Sequence, residues 1–216
     1  GAVEKLDAQT GQRVAGATLR LTGPAPSTTV VWTGTSATAP VTVPNLPAGT
    51  YTLVETTAPS GYALNTTPVS GALAAGGTLS LRISNQPFGD IAVEKRDAVT
   101  GELVAGALLQ VREDFDGDGV WSAIGTVTST STGPVVIEDQ PADDYQLVEL
   151  VAPAGYALNS APVTGTLAWG DTLTLTVENQ PYGTILVNKI DGVDGTPGRG
   201  AELELSGPAV STTVGW

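Results

Sequence analysis

The chain repeats itself, and that confines it to a row of like units, each folding around its own core. The segment VEKLDAQTGQRVAGATL beginning at Val3 returns as VEKRDAVTGELVAGALL beginning at Val93. YTLVETTAPSGYALN from Tyr51 returns as YQLVELVAPAGYALN from Tyr145, and ISNQPFG from Ile83 returns as VENQPYG from Val177. The Lys5 to Lys95 offset is 90, whereas Glu55 to Glu149 and Asn85 to Asn179 are both 94, so the second unit carries a four-residue insertion between its Lys and its Glu. A third copy opens after Thr184 with ILVNKIDG and matches the first unit: GPAVSTTVGW ending at Trp216 mirrors GPAPSTTVVW ending at Trp32. The expected organisation is residues 1–87, residues 88–181 and a partial third repeat over 182–216, an A-B-A window on a longer tandem protein. The joints Gln86-Pro87-Phe88-Gly89 and Gln180-Pro181-Tyr182-Gly183 are too short for flexible tethers, so a stiff row is expected.

Each repeat reads as all-β. Short segments rich in Val, Thr, Leu and Tyr alternate apolar with polar residues between Gly, Pro, Asn and Asp turns, and no stretch sustains a helical period. Seven or so strands in about ninety residues predict a small two-sheet, immunoglobulin-like sandwich. No apolar run reaches the roughly 18 residues of a membrane span, and no leader with a basic flank opens the chain. Nine basic against 22 acidic residues give a net charge of −13, which removes the footprint of a nucleic-acid binder. With no Cys and no His, disulfides, thiolate nucleophiles, the commonest general base and most zinc sites are excluded. The chemistry left is that of Asp, Glu, Lys, Ser, Thr, Tyr and Asn.

Lysine is scarce and evenly placed: Lys5, Lys95 and Lys189 are the full set. Residues two apart in a strand share a face. Lys5 then lies behind Val3, Lys95 behind Ile91 and Val93, and Lys189 behind Ile185 and Val187. The same count puts Glu55 behind Tyr51 and Leu53, and Glu149 behind Tyr145 and Leu147. Asn85 follows Leu81 and Ile83, and Asn179 follows Leu175 and Val177. Each complete repeat thus directs one Lys, one Glu and one Asn toward its core.

Three readings follow. Strand-end residues snorkel to solvent; or a buried Lys–Glu ion pair forms, which is costly and gives the Asn no role; or the trio reacts. Burial favours the neutral forms of an amine and of a carboxyl. A neutral amine can attack the Asn carboxamide, with the carboxyl shuttling protons and ammonia leaving, and folding supplies the proximity.

The pattern K-x-D-x-x-T-G, then L-P-A-G-T-Y-x-L-x-E-x-x-A-P-x-G-Y, then a terminal strand ending in Asn resembles the Cna B-type repeat. That repeat is the prealbumin-like domain of Gram-positive surface adhesins and pilins. The resemblance implies a Lys–Asn isopeptide between first and last strands with a Glu of the facing sheet as catalyst: Lys5, Asn85 and Glu55, then Lys95, Asn179 and Glu149. Lys189 has neither partner in the chain. It further implies an extracellular, wall-anchored stalk or fibre packed against neighbouring repeats and needing no cofactor, in which each site turns over once and the protein is no enzyme. The competing expectation is an adhesin module binding a host protein or glycan. The second repeat departs from the pattern where Leu46-Pro47-Ala48-Gly49 becomes Gln140-Pro141-Ala142-Asp143.

The insertion of repeat two falls near Arg112-Glu113-Asp114-Phe115-Asp116-Gly117-Asp118-Gly119-Val120. Asp114, Asp116 and Asp118 occupy positions 1, 3 and 5 of a calcium loop, Gly119 position 6 and Val120 position 7, but position 12 is Gly125 in place of a bidentate Glu. A calcium site and a polar turn are both open readings. Of the four Trp residues, Trp32 and Trp121 are expected as strand residues packed on the sandwiches, rather than as a sugar platform.

Overall fold

The alternation of apolar and polar residues folds into strands. The computed structural model describes residues 1–205 and the backbone of 212–215, and all regular structure among them is β. Repeat one holds β1 (Ala2–Asp7), β2 (Thr18–Thr22), β3 (Val30–Thr35), β4 (Val41–Thr42), β5 (Gly49–Thr57), β6 (Val69–Leu73) and β7 (Ser80–Asn85). Repeat two holds β8 (Gly89–Asp97), β9 (Leu108–Glu113), β10 (Ser122–Thr128), β11 (Val135–Gln140), β12 (Asp143–Val151), β13 (Val163–Leu167) and β14 (Thr172–Asn179). Each repeat is a sandwich of a three-stranded sheet, β4-β1-β7 or β11-β8-β14, and a four-stranded sheet, β3-β2-β5-β6 or β10-β9-β12-β13. The architecture is all-β, in two like sandwiches.

The first and last strands of each repeat lie side by side and parallel, with Lys5 opposite Ile83 and Asp7 opposite Asn85, and Lys95 opposite Val177 and Asp97 opposite Asn179. Parallel neighbours cannot be joined by a tight turn, so the chain between them must cross over. Here the crossover is the rest of the domain. The core lies between the sheets: Val3, Leu19, Leu53, Leu81 and Ile83 in repeat one, and Val93, Leu109, Leu147, Leu175 and Val177 in repeat two, are all buried. Burying each such side chain contributes about 1.5–3 kcal/mol. Tyr51 and Tyr145 are fully buried, and their hydroxyls donate to the carbonyls of Pro47 (2.8 Å) and Pro141 (2.9 Å), which ties the Pro-Ala turn to the strand it launches.

The departure of repeat two at that turn has a packing cause. Gly49 adopts φ +149°, and a Cβ there would lie 2.4 Å from Pro24 Cβ. Repeat two has no proline on the matching hairpin, so Asp143 fits.

The joint between the two sandwiches is braced on both sides. Phe88 N–H donates to Gly61 O (2.9 Å) and Ala63 N–H to Gln86 O (3.0 Å), pinning the Gln-Pro-Phe-Gly segment to the loop after β5. Across the joint, Phe88 stacks obliquely on Trp169 with ring centroids 6.2 Å apart, and Gln9 Nε2 donates to Trp169 O.

Residues from Tyr182 onward form a separate unit. It contains β15 (Glu202–Leu205) and β16 (Thr212–Gly215), paired antiparallel. Two expectations are corrected here and nearby. Lys189 is not on a core-facing strand: Thr184–Val187 have no regular structure, and Lys189 is exposed. A β1-like strand stays in register only when a partner and a facing sheet bury its apolar side. Trp121 precedes β10 instead of lying in it, whereas Trp32 lies in β3 and packs against the core; Trp216 lies outside the described residues.

Candidate functional site

Lys5 sits near the C-terminal end of β1, Asn85 at the end of the parallel β7, and Glu55 on β5 of the facing sheet. The period of two turns all three inward, and they meet at one end of the sandwich. Lys5 is 1% exposed, Glu55 6% and Asn85 1%. Glu55 Oε1 lies 3.9 Å from Lys5 Nζ, and Glu55 Oε2 accepts from Asn85 Nδ2 at 2.7 Å. Repeat two builds the same group from Lys95, Glu149 and Asn179, at 0%, 3% and 1% exposure. There Asn179 Nδ2 donates to both Glu149 oxygens at 2.8 Å. Lys5 Nζ donates to Leu6 O (3.2 Å) and Lys95 Nζ to Arg96 O (3.0 Å).

Burial dominates the electrostatics of both amines. Desolvation pushes Lys5 below the ordinary lysine range, opposed by Glu55 and Asp7. Lys95 is lowered for the same reason, opposed by Glu149, Asp97 and Glu178. The Asn85 and Asn179 carbonyl oxygens are buried without a hydrogen-bond partner, as is Glu55 Oε1. An orphaned buried polar atom costs about 1–3 kcal/mol, so the site is a place of stored polar free energy.

Other residues hold the trio in place, and their roles were hidden in the sequence. Asp7 Oδ1 accepts from Gln9 N (2.7 Å) and Thr10 N (2.8 Å), and Tyr62 OH donates to Asp7 Oδ2 at 2.8 Å. Burial raises the Asp7 carboxyl, but the Thr10 and Gln9 amides and the Tyr62 hydroxyl outweigh it and hold it below the usual range. Asp97 is lowered likewise, chiefly by the Thr100 and Val99 amides, then by Tyr156 at 2.8 Å. Asn65 N–H donates to Glu55 Oε2 (2.8 Å) while its side chain donates to Ser84 O (2.8 Å); Asn159 does the same for Glu149 (2.7 Å) and Glu178 O (2.9 Å). The loop that follows the Glu strand therefore closes over the site, with Tyr as its latch and Asn as its clamp. The recurrence of GYALN at Gly61 and Gly155 was the available signal.

Lys189 has no such surroundings. Its Nζ donates to Ile190 O at 3.0 Å, as the other two lysines do to their successors, but it is exposed. Asp114, Asp116 and Asp118 are brought together on the β9–β10 loop, between Lys95 and Glu149 in the sequence.

The model of the SpaA prealbumin-like fold domain matches residues 2–87 and again residues 89–181. No curated protein shows a significant match to the chain. Among solved structures, the shaft pilin SpaA of Lactobacillus rhamnosus GG is 17% identical with a TM-score of 0.48, covering 86% of this chain and 97% of that one. A streptococcal ancillary pilin is 23% identical with a TM-score of 0.42, covering 85% of this chain and 62% of that one. The TIE protein of Bacillus anthracis is 20% identical with a TM-score of 0.43, covering 83% of this chain and 33% of that one. The chain thus spans about three-fifths of the length of the streptococcal pilin and about a third of that of the TIE protein.

Proposed function

The chain belongs to the SpaA prealbumin-like fold domain family, and on that premise we propose that its two sandwiches are a force-carrying segment of an extracellular surface stalk or fibre, each locked by a self-formed Lys–Asn isopeptide bond. The observation that carries the reading is the burial, in both repeats, of an amine, a carboxyl and a carboxamide at the meeting point of the first strand, the last strand and the facing sheet. A plain ion pair gives the Asn no role and leaves its carbonyl oxygen orphaned. Condensation instead replaces the amine that burial penalises with a neutral amide.

The chemistry follows from the contacts. Desolvation favours the neutral form of the Lys5 amine, which is the nucleophilic one. Nζ adds to the Asn85 carboxamide carbon, forming the new C–N bond. Glu55 Oε1, 3.9 Å from Nζ, takes the proton the amine sheds, and Oε2, 2.7 Å from Nδ2, delivers one to the departing nitrogen. The C–Nδ2 bond breaks and one ammonia leaves, with no oxidant or cofactor consumed. Lys95, Glu149 and Asn179 do the same in repeat two. Because the product is part of the fold, each site reacts once.

The mechanical consequence comes from topology. β1 begins the domain and β7 ends it, side by side and parallel. A bond from residue 5 to residue 85, or from 95 to 179, passes tension from strand to strand and spares the rest of the sandwich. By analogy with a disulfide closing a loop of that span, it also stabilises by about 4–5 kcal/mol. Unlike a disulfide, it resists reduction.

Intact mass spectrometry tests the reading. The chain is expected two ammonia masses below its sequence value, and Glu55→Ala and Glu149→Ala are each expected to restore one. A full unmodified mass overturns it.

A further inference from the structure

We propose that the β9–β10 loop of repeat two is a calcium site, a feature that repeat one lacks and that stands independently of the cross-links. One carboxylate oxygen from each of Asp114, Asp116 and Asp118 lies within 4.8 Å of the other two. Three like charges that close together repel unless a cation joins them. An acidic turn alone would explain that much. The second observation is the state of Asp114, which is 7% exposed, with an Oδ1 that is buried and has no hydrogen-bond partner among the described residues. A buried, unpaired carboxylate oxygen is expensive, and a cation at the cluster would satisfy it.

The backbone supports that division of labour. Asp114 Oδ2 accepts from Gly119 N at 3.0 Å, leaving Oδ1 as the oxygen available to a ligand. Gly119 holds φ +84°, the left-handed conformation of the sharp turn at position 6 of a calcium loop. Asp118 Oδ1 accepts from Val120 N at 2.7 Å, which orders the loop at position 7, whose carbonyl is the next candidate ligand. At its base, Asp114 N–H donates to Asp144 O at 3.1 Å, so the loop is moored to β12.

The donor set decides the cation. Carboxylates and a carbonyl are hard oxygen ligands, and a chain without His or Cys offers nothing that selects a softer metal. Calcium tolerates a flexible, incomplete oxygen shell, whereas magnesium demands a tight octahedron. The bidentate Glu of position 12 is missing, so affinity is expected in the weak extracellular range, a Kd of about 10⁻⁴–10⁻³ M. The matching β2–β3 hairpin of repeat one runs Gly23-Pro24-Ala25-Pro26-Ser27-Thr28-Thr29 and has no carboxylate.

The test is calorimetric titration of the chelator-treated 216-residue chain with calcium alone, paired with terbium luminescence sensitised through Trp121. One site with a Kd in that range is expected, with calcium displacing terbium. Asp116 and Asp118 are exposed, so Asp116→Asn with Asp118→Asn should keep the wild-type circular dichroism while weakening calcium at least tenfold. No calcium heat and no terbium displacement at about ten times the upper end of that range overturns the proposal. Wild-type affinity in the double variant, or equal affinity for magnesium, overturns it too.

Discussion

Lys95 and Lys189 open the same turn and end in opposite surroundings. Each lysine carbonyl accepts a backbone N–H at 2.8 Å, from Val104 and from Gly198, and each Nζ donates to the next residue's carbonyl at 3.0 Å. Two residues on, Asp97 Oδ1 caps Val99 N and Asp191 Oδ1 caps Val193 N, both at 2.7 Å. Yet Lys95 is fully buried beside Glu149 and Asn179, and Lys189 is exposed. The turn is a local structure, made by an Asp whose carboxylate and carbonyl accept from amides just ahead of it, the Gly N–H among them. The site is not local. It needs β14 alongside and β12 opposite, and among the described residues of 182–215 no strand stands beside Lys189.

The largest break in this comparison comes from removing a proposed catalyst. Glu149→Ala should uncouple Lys95 from Asn179 and lower the melting temperature of repeat two by roughly 20–30 °C, the equivalent of about 4–5 kcal/mol in a domain of this size. Lys189→Ala should leave the calorimetric trace unchanged. If both variants melt alike, burial at Lys95 has no covalent consequence.

A pH series sharpens the same contrast. In the Glu55→Ala/Glu149→Ala double variant the buried amines remain free, with folded pKa values below the ordinary lysine value of about 10.4. Between the two values the unfolded chain binds more protons than the folded one, so stability must rise with pH through that window. The proposed cross-links consume both amines in wild type, so its urea midpoint should show no such rise there. A flat profile in the double variant would count against burial of the free amine.

The smallest effect is expected at the latch. Tyr62→Phe removes a hydroxyl from a carboxylate and should cost about 1–2 kcal/mol, reduced from the range for charged partners because Tyr62 is half-buried. Asp7 is held below the ordinary carboxylate range, so its contribution is present at neutral pH and lost as pH falls through its folded value. The variant should therefore differ from wild type at pH 7 in urea and converge with it in strong acid. An equal gap at both pH values would remove Asp7 from the explanation.

Much of this molecule was legible in its residues. Period-two alternation identified the inward faces of β1, β5 and β7, and Lys5, Glu55 and Asn85 were placed on them because nothing breaks that count between Val3 and Lys5, Tyr51 and Glu55, or Ile83 and Asn85. The latch was not legible. Tyr62 and Asp7 lie 55 residues apart, and their contact depends on how a loop folds back over a sheet end, which no periodicity records. Asn65 escaped for the same reason, since it acts on Glu55 through its backbone N–H, a group every residue but proline has. The Lys189 expectation failed through the converse error, because it assumed that a sequence able to form a buried strand carries its burial with it.

The repeat and its spacing by themselves determined the fold class, the two inward-facing trios and the loop that distinguishes repeat two, because side-chain direction in a strand is a property of neighbouring residues. Only the tertiary structure decided which lysines are buried, which carboxylate oxygen lies nearest each amide, and that Asp114 keeps one oxygen unpaired. Those depend on which strands meet across the sandwich, and hence on contacts between residues far apart in the chain.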